Sequence, residues 1–372
     1  MADATLGLYI HIPFCLSKCR YCDFCSSPQG EETKAAYTRA LCHELAAAKT
    51  DRPVDTVFFG GGTPSLLSAA DFLLICETIK QNFRLTPDVE WTAEANPATV
   101  DEAKLHAMRE AGINRLSLGM QSAHDRELAA LGRAHRAADL YEAVRMARAA
   151  GFDNLNLDLM FGIPHQTRES FSATLEEAIA LGAEHLSVYS LQIEDGTPFY
   201  RERHSLPLPD EETEAAMTDD LLVRARAAGY KRYEISNYAK EGRECRHNLR
   251  YWLMRDYLGF GIAAHSLYAG RRFYNRADLP AYLRDPLGIR EVEEELTPAA
   301  REYETVMLGL RLFCGIEDAE FASRFGYGFF EKYGGRLAPF LRGGFAVREG
   351  TRTRLTDRGM AVQNAILAKI LD

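Results

Sequence analysis

The chain has 372 residues, 47% hydrophobic and 26% charged, with a formal net charge of -9. That length buries a large core and leaves room for one sizeable domain and a smaller one, in a composition ordinary for a globular protein. The acidic balance argues against a nucleic-acid partner, which needs an excess of Lys and Arg to meet phosphates, with 342–354 as a local basic patch.

No charged-then-apolar leader opens the chain, and no run of about 18 apolar residues offers a bilayer span. A cytoplasmic protein is expected, peripheral at most to the inner face of a membrane. An apolar strand over 8–12 leads into a loop holding Cys15, Cys19 and Cys22, with Cys25 beyond and a helix over 32–48. The run 56–59 ends in Gly60-Gly61-Gly62 before a helix over 69–82. The run 91–95 ends in Glu94-Ala95-Asn96-Pro97 before a helix to about residue 111. Strand 115–118 runs into Gly119-Met120-Gln121-Ser122, with a helix over 139–150. Strand 155–160 runs into Phe161-Gly162-Ile163-Pro164, with a helix over 169–181, and strand 185–191 precedes a helix over 210–228.

Six β-α repeats with continuous apolar strands predict an α/β fold, a parallel sheet with helices outside it. Periodicity leaves open a closed eight-fold barrel or a partial six-fold one. Cys15, residues 60–63, Glu94, Gln121, Asp158 and Gln192 all fall at or just past a strand's C-terminal end, where parallel α/β folds place their ligands.

After Gly229 the rhythm changes. One more strand is expected over 231–238, followed by Cys245-Arg246-His247-Asn248-Leu249-Arg250-Tyr251-Trp252 and a glycine-rich stretch over 258–267. Residues 280–286 and the acidic 291–295 read as a linker. A helix over 299–313, further helical segments, a Gly343-Gly344 turn, a hairpin near 345–355 and a last helix from 357 suggest a compact winged-helix-like module. The expected division is a core over 1–228, an extension over 229–290 and a C-terminal domain over 291–372.

The chain has eight cysteines, four crowded between 15 and 25 and the rest scattered, a distribution of a metal site plus buried thiols rather than disulfides. Three thiolates within eight residues suit a soft metal centre, zinc or iron–sulfur. On a [4Fe–4S] cube, three cysteines leave one iron open to a small molecule. The C-x3-C-x2-C spacing resembles the cluster loop of the radical S-adenosylmethionine (SAM) superfamily. That resemblance implies a [4Fe–4S] cluster on Cys15, Cys19 and Cys22, with the amino and carboxylate groups of SAM on the open iron. It also implies a cluster electron that splits the carbon–sulfur bond to release a 5′-deoxyadenosyl radical. The glycine triplet lets backbone groups approach such a ligand. Glu94, Gln121 and Asp158 can accept from a ribose diol, and Arg133 in Leu131-Gly132-Arg133-Ala134-His135 can clamp a carboxylate. Singly, each also reads as a cap or a surface ion pair.

Further motifs narrow the family. Residues 9–15 (Tyr-Ile-His-Ile-Pro-Phe-Cys), 60–65, 94–97, 119–122, 131–135 and 158–164 resemble the oxygen-independent coproporphyrinogen III dehydrogenase (HemN) superfamily, and the tail from 301 resembles its C-terminal domain. The resemblance implies a partial (β/α)6 radical SAM barrel. Tyr9, Gly61, Gly62, Thr63 and Glu94 match contacts to a first SAM, and Tyr21, Gln121, Arg133 and Asp158 match residues that contact a second in the oxidase. The oxidase branch carries a longer N-terminal extension and C-x3-C-x2-C-x-C, whereas here Phe24 holds the fourth place and Cys25 follows it. HemW-type heme chaperones carry His-Asn-x-x-Tyr-Trp, matched by 247–252.

The chaperone branch implies heme as cargo and acceptor hemoproteins as partners, with respiratory membrane enzymes among the candidates and a homodimer admitted. His247 offers an imidazole to heme iron and Tyr251 and Trp252 offer flat rings. The competing reading is a buried histidine with two core aromatics. Cys25 reads as a spare thiol, His11 as structural, and His265 and Cys245 as weaker heme-ligand candidates. Competing functions are the coproporphyrinogen dehydrogenase itself and a zinc protein without redox chemistry.

Overall fold

A computed structural model describes residues 4–372. Six strands form its centre: β1 (Leu6–Ile12), β2 (Val54–Gly61), β3 (Leu85–Ala95), β4 (Arg115–Gln121), β5 (Leu155–Phe161) and β6 (His185–Ser190). Each pairs in parallel with the next in sequence. Their side chains alternate in chemistry although most are buried. Leu116, Leu118, Leu155, Leu157 and Leu159 join the apolar core with helix residues such as Leu140 and Ala143. Arg115, Ser117, Asn156 and Asp158, at the positions between, face the interior enclosed by the sheet. The sheet is therefore greasy outside and polar inside, as a ligand-holding barrel requires.

The intervening helices pack outside, and several begin on a side-chain cap. Ser68, Asp101, Thr167 and Asp210 each accept a backbone amide of the first helical turn. These caps fix where each strand-end loop stops, which sets the rim of the barrel.

Beyond β6 two expectations are corrected. Residues 231–238 are not one strand but the start of a hairpin, β7 (Lys231–Arg232) and β8 (Asn237–Ala239), laid antiparallel beside β6. Glu234, buried in the turn, accepts the Ser236 amide at 3.0 Å and the Asn237 side chain, and Arg232 Nε donates to the Ile235 carbonyl at 3.0 Å, which folds the run back on itself. The glycine-rich stretch holds β9 (Tyr257–Phe260), parallel to β1, and β10 (His265–Tyr268). Gly259 permits that crossing, since a Cβ there would sit 2.2 Å from the His265 carbonyl oxygen.

The expected linker is a helix, Leu279–Arg284, and a strand, β12 (Arg290–Glu295), paired with β11 (Arg271–Asn275). Every residue of β12 is exposed. Arg271, Arg272 and Arg276 pair with three of its glutamates, and its exposed charged side chains guard the sheet's open edge. One twelve-stranded sheet results, in the order β12-β11-β10-β9-β1-β2-β3-β4-β5-β6-β8-β7.

The C-terminal part has a core of its own, including Val306, Leu310, Phe321, Phe329 and Leu337. Its helices pack on the strands β13 (Ile316–Glu317), β14 (Ala346–Glu349) and β15 (Arg352–Leu355), ordered β13-β15-β14. No helix among the described residues is long and apolar enough to cross a membrane.

Candidate functional site

A cavity of about 420 Å³ opens at the C-terminal ends of β1 to β6. It gathers Cys15, Cys19, Cys22, Tyr21, Gly61, Gly62, Thr63, Glu94, Gln121, Arg133 and Asp158 on one wall or another. Tyr9 stands beside it, in a neighbouring cleft that shares Gly61 and Glu94 with the cavity.

The cysteine loop leaves β1 and is sewn back to its own base. Ser27 N–H donates to the Pro13 carbonyl at 2.9 Å and Cys15 N–H to the Ser27 carbonyl at 3.3 Å. His11, the structural residue expected from sequence, ties the loop's far end, its Nε2 lying 2.9 Å from the Cys25 carbonyl oxygen. Arg133 approaches from the barrel, with Nη1 3.6 Å from Cys19 Sγ, and Thr63 Oγ1 lies 3.8 Å from Cys15 Sγ. All three thiols are free and partly exposed. Burial, with Cys19 and Cys15 adding repulsion, pushes the Cys22 thiol up to about 11, so metal uptake must displace a proton there. Among the described residues no three His, Cys, Asp or Glu side chains close on a point as ligands of one ion would.

The glycine triplet serves packing first. A Cβ on Gly62 would sit 2.5 Å from the Phe14 carbonyl oxygen, and Gly61, at φ +108, lies against the His11 ring. Gly62 N–H donates to the Ile12 carbonyl at 2.8 Å and Thr63 N–H to the Phe14 carbonyl at 2.7 Å. The absence of side chains thus lets the cluster loop seat on β2 while the other side of the turn faces the cavity.

Behind the loop lie two half-buried carboxyls. Burial, followed by repulsion from Asp158, pushes Glu94 up to about 8, although the Gly61 amide and Arg115 pull the other way. Burial also raises Asp158, while Ser117 Oγ (2.9 Å) and Asn156 Nδ2 (2.8 Å) hold its two oxygens. Gln121 sits at φ +57, a costly conformation for a side chain with a Cβ. Its Oε1 and the Nε of Arg133 are buried without a hydrogen-bond partner among the described residues. Unsatisfied buried polar atoms on a cavity wall call for water or a ligand. Acceptors, a guanidinium and two shielded carboxyls fit a zwitterionic nucleoside carrying a sulfonium.

His247, expected as a heme ligand, is 1% exposed. Its Nδ1 lies 2.9 Å from Thr56 Oγ1, its Nε2 2.8 Å from Tyr251 Oη, and its ring stacks on Phe58. In this structure both ring nitrogens therefore have hydroxyl partners. Cys245 is buried too, its thiol raised to about 12 and directed at Glu90. His265 is exposed.

Sequence reasoning passed over Arg115, Ser117 and Asn156, which line the interior beneath Glu94 and Asp158. Their signal was polar residues alternating with leucines, as Arg115 and Ser117 in β4 and Asn156 and Asp158 in β5.

Comparison with known proteins agrees with this geometry. The radical SAM superfamily profile matches residues 9–178 and the HemN C-terminal domain profile matches 296–362. The chain is 36% identical to the heme chaperone HemW of Bacillus subtilis, over 98% of this chain and 98% of that protein. It is 35% identical to the heme chaperone HemW of Mycobacterium tuberculosis, over 100% of this chain and 96% of that one. Among solved structures, coproporphyrinogen III oxidase (HemN) from Escherichia coli, described as a radical SAM enzyme, superposes with a TM-score of 0.86. At 24% identity over 98% of this chain and 90% of that chain, the likeness is one of fold.

Proposed function

The chain belongs to the heme chaperone HemW family and has a radical SAM fold, and from that premise we infer that it binds heme and passes it to acceptor hemoproteins. The observation that carries this reading is similarity to HemW relatives from end to end, because the fold alone is shared with a porphyrinogen oxidase.

Membership of the radical SAM superfamily implies a [4Fe–4S] cluster and SAM. Cys15, Cys19 and Cys22 would hold the cluster, which when bound supplies a one-electron donor beside its open iron. Gly61, Gly62, Thr63, Tyr9 and Glu94 would bind the nucleoside. Tyr21, Gln121, Arg133 and Asp158 would meet its carboxylate end or a second copy. Arg133 offsets charge on Cys19, and Glu94 with Asp158 favours a cationic ligand once ionised. The sewn base of the cysteine loop keeps the thiols at the rim rather than in solvent.

The coproporphyrinogen dehydrogenase reading is favoured by one observation, the convergence of Tyr21, Gln121, Arg133 and Asp158 on one cavity. One experiment separates the two. Anaerobically reconstituted protein is given heme and an apo-hemoprotein in one arm, and coproporphyrinogen, SAM and reductant in the other. Heme uptake and transfer without protoporphyrinogen formation is expected; protoporphyrinogen in the second arm overturns the chaperone reading. Respiratory membrane acceptors and a homodimer belong to the same proposal. Transfer to vesicle-embedded acceptors and sedimentation of the holoprotein test them.

A further inference from the structure

We propose that heme docks in a second cleft, on the far side of Phe24 from the main cavity, with His265 as its axial ligand. The inference rests on the heme-carrying reading above and names where that cargo sits. The cleft, of about 360 Å³, is walled by the rings of Tyr9, Phe24, Tyr251 and Tyr257, with His265 at its edge. Flat aromatic faces suit a porphyrin, which gains most from apolar contact over its two faces. Phe24 is 62% exposed and lines both the cleft and the main cavity.

The ligand assignment follows from which imidazole has a free nitrogen. His11 Nδ1 lies 3.1 Å from Tyr9 Oη and its Nε2 2.9 Å from the Cys25 carbonyl oxygen. His247 is likewise committed at both nitrogens. His265 differs. Its ring stacks on Tyr274 of β11, with centroids 5.2 Å apart and planes inclined by 23°. Glu293 of β12 places Oε2 3.7 Å from its Nδ1. A carboxylate on the Nδ1 side leaves Nε2 as the nitrogen open to a metal, the arrangement in which histidines bind metals. No hydrogen bond occupies Nε2 among the described residues. β11 and β12, the latter within a stretch read from sequence as a linker, thus support the ring from behind. Heme seated here would lie against the wall that carries Cys25 and Phe24, which places the cargo beside the cluster loop.

The test is an anaerobic hemin titration of the full-length holoprotein, comparing wild type with His265→Ala and Cys25→Ser. The affinity is read with the Soret band and ferric electron paramagnetic resonance. Because His265 is exposed, His265→Ala is expected to fold, and circular dichroism checks this. Loss of an outer partner of a metal ligand alone costs about 10–100-fold, so loss of the ligand should weaken binding at least about tenfold. It should also erase the imidazole-ligated signature, which added free imidazole should restore. An unchanged affinity and signature in His265→Ala overturns the assignment, as does a signature that survives there and is lost in Cys25→Ser. No heme uptake by wild type overturns the heme-carrying reading, and this inference with it.

Discussion

Oγ1 of Thr56, in the middle of β2, lies 2.9 Å from Nδ1 of His247, 191 residues further along the chain. The contact bolts the short helix Arg246–Trp252 onto the barrel wall, and Tyr251 Oη closes the ring's other nitrogen. Replacing His247 with Ala removes both bonds and leaves a cavity beside Phe58. A loss of about 2–3 kcal/mol is expected, read as a lower denaturant midpoint with unchanged slope. The folded fraction should keep the wild-type class of heme spectrum. Full stability combined with loss of the imidazole signature would instead return His247 to the ligand role.

Three residues later in the same helix, Arg250 is 2% exposed and pairs with Asp55. Its Nε donates to Thr56 Oγ1 at 3.0 Å, Nη1 to the Asp256 carbonyl at 3.1 Å and Nη2 to Thr5 Oγ1 at 2.8 Å. Arg250→Met leaves Asp55 with the Thr5 hydroxyl at 2.8 Å and Arg246 at 3.7 Å, and should cost about 1–3 kcal/mol. Combining it with Asp55→Asn removes the charge that Arg250 offset, so the double variant should lose less than the sum of the two. Strict additivity in chemical denaturation would refute the coupling.

The cysteine loop makes a sharper chemical claim. Cys15, Cys19 and Cys22 all face the main cavity, whereas Cys25 lies on the neighbouring cleft and meets His11 through its carbonyl oxygen. Alanine at any of the first three should abolish the brown absorbance of the reconstituted cluster. Alanine at Cys25 should leave iron and sulfide content at the wild-type level. Retention of a full cluster in Cys19→Ala would mean that Cys25 serves as a ligand.

The six β-α units were legible because each strand's apolar positions recur against its helix, and because the polar rim residues fall at strand ends. β7 to β12 were not, and the reasons differ. The 231–238 run has strand composition, but Glu234 turns it back through bonds that composition does not reveal. The acidic 290–295 run looks like a spacer, yet it is an edge strand, where exposure on both faces removes the apolar signal. The cysteines share one loop, as their spacing implies, and all three line one cavity, whereas spacing says nothing of what surrounds His247. A histidine between aromatics looks the same whether its nitrogens meet iron, Thr56 or Tyr251. Only the register of the helix on β2 decides.

The last prediction concerns Glu94, whose carboxyl burial and Asp158 hold at about 8 against an ordinary 4.5. Between those two values the folded chain binds a proton that the unfolded chain has released. Its contribution to stability is therefore full below about pH 4.5 and is lost as pH rises toward about 8, by about 4 kcal/mol in all. His247, held down to about 3 by burial and the charge of Arg250, tilts the other way, losing stability as pH falls below about 6.5. The raw profile thus mixes opposing slopes. Subtracting the profile of Glu94→Gln, which keeps a neutral side chain of the same shape, isolates the carboxyl: the difference should favour the variant as pH rises from 5 to 9. A sulfonium ligand near Glu94 should pull the proton off, so SAM binding at pH 7 should release protons to the buffer in wild type and not in Glu94→Gln. Calorimetry in two buffers of different ionisation enthalpy reads that release directly. Equal proton release from both proteins would place the cationic end of the ligand away from Glu94.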